Sequence, residues 1–228
     1  MKELKQDRKE YIKNIRLGRK TEALKAVKKY GIDFRADEEG ATGLMLALYH
    51  GQNELIPELI KLCASLLIKD QQDKFGANYL LSGFLQNILQ RKPQTATIST
   101  LKRFWSLINP NSFTYETCNR QFQANSHSMV YFLIILMRCL NELHPKKATY
   151  QKGTPDEKTM AFFNMDDMVK YAELIPGEIL PPYRKKRQYI NSILSSNEIC
   201  RAGFPNCKMA FTRIDRGAYV VNHEINWL

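Results

Sequence analysis

Three groups of residues have types that suit chemistry. Cys200, Cys207 and His223 are soft ligands near one end of the chain, but Cys-x6-Cys followed by one distant histidine is not a zinc-finger spacing, and a fourth ligand is missing. His127 stands between Ser126 and Ser128, yet no Gly-x-Ser-x-Gly elbow surrounds it and no acid is placed to orient it. Either serine serves better as a helix N-cap. Asp166 and Asp167 are adjacent, so on a helix their carboxylates point different ways and do not converge on one proton or metal. No glycine-rich phosphate loop occurs. The expectation is therefore a chain without catalytic residues, bound metal or cofactor, and hence not an enzyme.

What remains is charge and shape. The chain of 228 residues carries a formal net charge of +11, 44% hydrophobic and 25% charged residues. These proportions suit a packed globular protein and not a disordered one. The charge is uneven: residues 1–30 have 11 cationic side chains against 4 acidic, residues 31–90 have 4 against 8, and residues 184–228 have 8 against 3. An acidic stretch thus lies between basic ones, and the basic balance favours a polyanionic partner or a lysine-rich solvated surface.

The basic clusters are Arg184, Lys185, Lys186 and Arg187 at the start of a C-terminal helix, and Arg213 and Arg216 beside an Asp215-Arg216-Gly217 turn. Long cations on one face suit phosphate contacts to DNA or RNA. The alternation of 210–214 and 218–221 around that turn predicts a β-hairpin. Helices followed by a basic hairpin resemble a winged-helix end, although 196–209, where a groove-reading helix would fall, contains Gly203 and Pro205.

The elements that must position such groups read as helices. Tyr11, Ile12, Ile15 and Leu17 mark a basic helix that Gly18 breaks, and a second helix capped by Thr21 runs to Gly31. Asp37-Glu38-Glu39-Gly40 then forms a turn, Thr42 caps a helix through Leu48, Gly51 ends it, and Leu55 to Leu62 form its partner. A second Asp-x-x-Gly, Asp73 to Gly76, lies 36 residues later and opens a helix through Leu89. This order of turn and paired helices over residues 10–92 resembles an ankyrin repeat, whose period is about 33. Gly43 and Met45 stand where that family usually has proline and histidine. The resemblance implies a stack that binds another protein through its turn tips, here Glu38, Glu39, Lys74 and Phe75, with Phe75 as an aromatic anchor if it is exposed.

Beyond residue 92 the expected texture stays helical, with helices around Leu101–Ile108 and Met129–Leu143 separated by a turn at Asn109–Ser112. Lys146–Lys158 reads as a loop or linker, and Phe162–Leu174 as a short amphipathic helix. The longest apolar run, Met129–Met137, is about half the roughly 20 residues that span a bilayer. Five cysteines without regular spacing suit reduced thiols. The expected protein is mainly α, soluble, cytoplasmic and free of membrane contact. Residues 1–145 would form an ankyrin-like stack of antiparallel helix pairs, 146–182 a linker and short helix, and 183–228 a basic helix plus β-hairpin. The expected role is a non-enzymatic adaptor or regulatory module that binds another protein, with nucleic-acid binding by the tail as the alternative.

Overall fold

The computed structural model describes residues 2–91, 94–109, 112–144, 149–150, 160–161, 163–201, 203 and 206–228. They are mainly helical, with small antiparallel sheets. The chain divides into two compact units, Met1–Asn109 and Pro110–Leu228.

The first unit is a series of helices: α1 (Lys2–Arg16), α2 (Lys20–Tyr30), α3 (Gly43–Tyr49), α4 (Leu55–Lys61), α5 (Gly76–Leu89) and α6 (Gln94–Ile108). Helix α3 packs between α1 and α5, while α2, α4 and α6 each pack against the helix before them. Apolar positions at helical spacing make this possible: Tyr11 and Ile15 on α1, Leu44 to Leu48 on α3, and Leu80, Leu81, Phe84 and Leu85 on α5 are all buried. Each such side chain contributes on the order of 1.5–3 kcal/mol by leaving water.

The local bonds of this unit recur at a fixed offset. Gly18 N–H donates to Ile15 O, Arg19 N–H to Asn14 O, Lys20 N–H to Gly18 O and Ala23 N–H to Arg19 O. Thirty-three residues on, Gly51 donates to Leu48, Gln52 to Ala47, Asn53 to Gly51 and Ile56 to Gln52. The turns repeat in the same register: Gly40 N–H donates to Asp37 O, and Asp73 N–H to Asp70 O, both at 3.3 Å. Gly40 and Asp73 share the left-handed backbone, at φ +83° and +58°. The second turn therefore begins at Asp70, not at Asp73 as the Asp-x-x-Gly spacing suggested. Gly76 is the first residue of α5. Helix α5 has 14 residues against 7 in α3, an extension of two turns that keeps the same face toward its neighbours.

Thr42 caps α3 as expected, its hydroxyl accepting from Met45 N–H at 3.4 Å. Thr21, in contrast, lies inside α2, which starts at Lys20 with no side-chain cap.

The second unit contains β1 (Ser112–Thr117), β2 (Arg120–Asn125), α7 (Met129–Leu143), β3 (Thr149–Tyr150), β4 (Met160–Ala161), β5 (Phe163–Asn164), α8 (Met165–Leu174), α9 (Arg187–Ser196), β6 (Phe211–Asp215), β7 (Ala218–Val221) and β8 (Asn226–Trp227). The hairpin β1–β2 replaces part of the helical texture expected over 93–149. Phe113, Tyr115 and Thr117 alternate inward, and Cys118 and Asn119 turn the chain with φ +49° and +59°. Strand β1 also pairs with β8, so the sheet order is β2-β1-β8, all antiparallel. That pairing explains why the compact units part near residue 109, whereas the sequence placed 110–145 with the helical stack.

Strands β6 and β7 form the expected hairpin, and β5 extends it to β5-β7-β6. Helix α7 is almost wholly buried, and Tyr131 on it stacks on Phe113 at 4.7 Å beside Trp227. Among the described residues a 3-10 turn at Ile199–Arg201 stands where a groove-reading helix would be needed. Most of the expected linker at 146–158, with Pro93, Pro145, Phe162 and Pro205, lies outside the described residues. No helix among the described residues is long and apolar enough to cross a membrane.

Candidate protein-binding edge

The two turns are built by aspartates that serve the backbone. Asp37 Oδ1 accepts Ala41 N–H at 2.7 Å. Asp70, 33 residues on, accepts Lys74 N–H at 2.9 Å and Gln72 N–H at 2.7 Å through Oδ1, and the Tyr79 hydroxyl at 2.8 Å through Oδ2. A short polar side chain at the head of a turn is what lets the exposed peptide groups bend without losing partners. The turns are joined to each other: Gln71 N–H donates to Glu39 O at 2.9 Å, and Arg35 Nη1 donates to Gly40 O and Lys69 O. The result is one continuous edge.

Glu38 and Glu39 are exposed at its first tip, with Gln71 and Gln72 at the second. Lys74 is half-buried. Phe75 is not a surface anchor. It is 2% exposed, because the 33-residue register sets it opposite Thr42 at the N-cap of α5. Its N–H donates to Asn78 Oδ1 at 3.2 Å. The edge also holds residues that the sequence reading did not single out. Arg8, Arg35, Asp37, Glu38, Lys69 and Asp70 line one recess. The recoverable signal was the pair Asp37 and Asp70 at a separation of 33.

Electrostatics around this unit are set by local ion pairs. Lys29 holds the Asp7 carboxyl below its ordinary pKa, with the Tyr30 hydroxyl as a second donor. Lys20 and Lys61 do the same for Glu58. Burial pushes the Tyr11 phenol up to about 12.

The basic tail is differently arranged. Arg184 Nη1 donates to His127 O at 2.6 Å, and Lys185 Nζ donates to Ile175 O at the end of α8. Arg187 pairs with Asp166. Arg213 pairs with the buried carboxylate of Glu198 at 2.8 Å and donates to the Tyr219 hydroxyl. Only Lys186 and Arg216, of the six expected phosphate ligands, carry no side-chain bond or ion pair to another described residue. The hairpin cation that resembled a wing residue is thus largely neutralised from beneath. Sequence gave no hint of this, because Glu198 and Arg213 meet only through the turn after α9.

The remaining chemistry-bearing residues do not converge. Cys200 donates to Glu198 Oε2 at 3.2 Å, and that hydrogen bond is the first cause raising the thiol's pKa; Cys207 donates to Glu198 O at 3.2 Å. His223 is exposed, and no cluster of three metal-ligating side chains occurs among the described residues. Ser128 caps α7, accepting Tyr131 N–H at 3.2 Å, and the exposed His127 lends only its backbone carbonyl to Arg184. No protein-family model, curated protein or solved structure matches the chain.

Proposed function

We propose that the first unit is an ankyrin-like stack that binds another protein along its turn edge, and that the chain is a non-enzymatic adaptor or regulatory module. The observation that carries this reading is the recurrence of one set of backbone bonds at 33 residues, together with the stacking of α1, α3 and α5. Such a period is the ankyrin period. Stacked units of this kind present a long, rigid edge whose tips are free to vary, which suits recognition of a partner better than turnover of a substrate. Here the edge is continuous from Glu39 to Gln71 and offers Glu38 and Glu39 to solvent. The alternative, DNA or RNA binding by the tail, draws less support, since four of its six cations are engaged within the protein.

The test is affinity capture from the native host with the full chain and with a Glu38→Arg, Glu39→Arg variant, followed by reconstitution with the purified candidate. A partner that binds the wild type one to one and loses about tenfold or more in affinity for the variant supports the proposal. Equal binding by the two proteins, with circular dichroism unchanged, contradicts it.

A further inference from the structure

The recess beneath the turn edge holds one group that the fold does not satisfy. Its acids are spent: Asp37 serves the Ala41 amide, and Asp70 serves two amides and the Tyr79 hydroxyl. Arg35 is spent on two carbonyls. Arg8 differs. Its Nε is buried with no hydrogen-bond partner. The adjacent acid on the same helix, Asp7, is drawn the other way by Lys29 and the Tyr30 hydroxyl.

The guanidinium is held in place. It lies over the Phe34 ring at 5.4 Å, and that ring stacks on Tyr30 at 4.8 Å and meets Tyr11 at 6.1 Å. An aromatic face fixes the plane of a guanidinium and leaves its edge to donate. A buried N–H without an acceptor is costly, and a carboxylate can take two parallel N–H bonds from such an edge. The position has a simple origin. Residues 4–7, the counterparts of the turn at 37–40, are helical here, so α1 brings Arg8 to the edge in place of a first turn.

We propose that this recess receives the side-chain carboxylate of an internal glutamate or aspartate in the partner, with Arg8 as its bidentate anchor. The proposal rests on the turn edge being the binding surface. Exposed Glu38 on the rim disfavours a second acid beside the first, so the segment recognised is a single acid with basic or neutral neighbours.

The test uses the full chain and side-chain N–H spectra of its arginines. The probe is the peptide acetyl-Ala-Lys-Ala-Glu-Ala-Lys-Ala-amide, with a twin in which glutamine replaces glutamate. The expected result is a saturable shift of the Arg8 Nε–H signal with the first peptide and none with the twin. Binding should weaken about tenfold or more in Arg8→Gln, and by less in Arg8→Lys, which keeps the charge and loses the fork. Equal shifts with both peptides, or unchanged binding by a folded Arg8→Gln protein, would overturn it. Should that occur while the Glu38→Arg, Glu39→Arg variant still loses its partner, the edge stands as the binding surface and only the carboxylate anchor fails. Should that variant keep its partner, the surface itself is wrong.

Discussion

Gly18 and Gly51 adopt nearly the same left-handed backbone, φ +69° and +65°, and stand 33 residues apart. Each follows a helix whose last turn it closes, and each is followed by the same three backbone bonds. Only a residue without a Cβ enters this conformation without strain. The pair therefore marks two copies of one structural unit, and the turn aspartates Asp37 and Asp70 carry the register into a third.

Packing between copies should be intolerant at two other glycines. A Cβ on Gly43 would lie 1.8 Å from the Tyr11 hydroxyl, and one on Gly83 would lie 2.1 Å from the Tyr49 carbonyl oxygen. Gly43→Ala should cost about 1–3 kcal/mol, and Gly83→Ala more, because backbone cannot move aside as a ring can. In urea denaturation, Tyr11→Phe should recover part of the loss in Gly43→Ala and none in Gly83→Ala.

The two turn aspartates should not be equivalent. Asp70 is 6% exposed and accepts three bonds, whereas Asp37 is half-buried with one side-chain bond in its turn. Asp70→Ala leaves two amides and a buried tyrosine hydroxyl without their acceptor and should cost about 2–4 kcal/mol, against about 1 kcal/mol for Asp37→Ala. Equal costs in chemical denaturation would show that the second turn is not built as described.

Alkaline stability follows from the tyrosines. Burial raises Tyr11 to about 12 and raises Tyr115 and Tyr131 further, against about 10 in an unfolded chain. A raised folded value means that the stabilising contribution is complete below about pH 10 and is lost as pH climbs through the folded value. The melting temperature should hold to about pH 10 and fall toward pH 12, with tyrosinate absorbance appearing as the protein unfolds. Tyr11→Phe should lessen the fall.

The basic tail should behave as a structural surface. Retention of DNA or RNA in gels should be weak and disappear between about 50 and 200 mM salt. Arg213→Ala should destabilise the protein by leaving the buried Glu198 carboxylate without its cation, while Lys186→Ala and Arg216→Ala change stability little. Tight retention lost with Lys186 and Arg216 would favour the nucleic-acid reading instead.

Much of this was legible in sequence. The helices of the first unit, the Thr42 cap, the turn at Asp37 and the hairpin around Asp215–Gly217 follow from apolar spacing and turn chemistry. The register did not, because Gly76 completes a second Asp-x-x-Gly while the left-handed residue of that turn is Asp73. That misreading placed Phe75 on a tip when it belongs to the core. The hairpin β1–β2 was missed because Cys118-Asn119 is not a turn pair that announces itself, and because its partner β8 lies about a hundred residues away. Arg8 was hidden for a related reason: nothing in a basic helix says which cation lacks a partner.

The most direct test of the binding edge is hydrogen exchange of the full chain with and without its reconstituted partner. Slower exchange is expected at Ala41, Gln71, Gln72 and Lys74, whose amides belong to the two turns. Protection confined to residues 184–228, with the turns unchanged, would contradict the account.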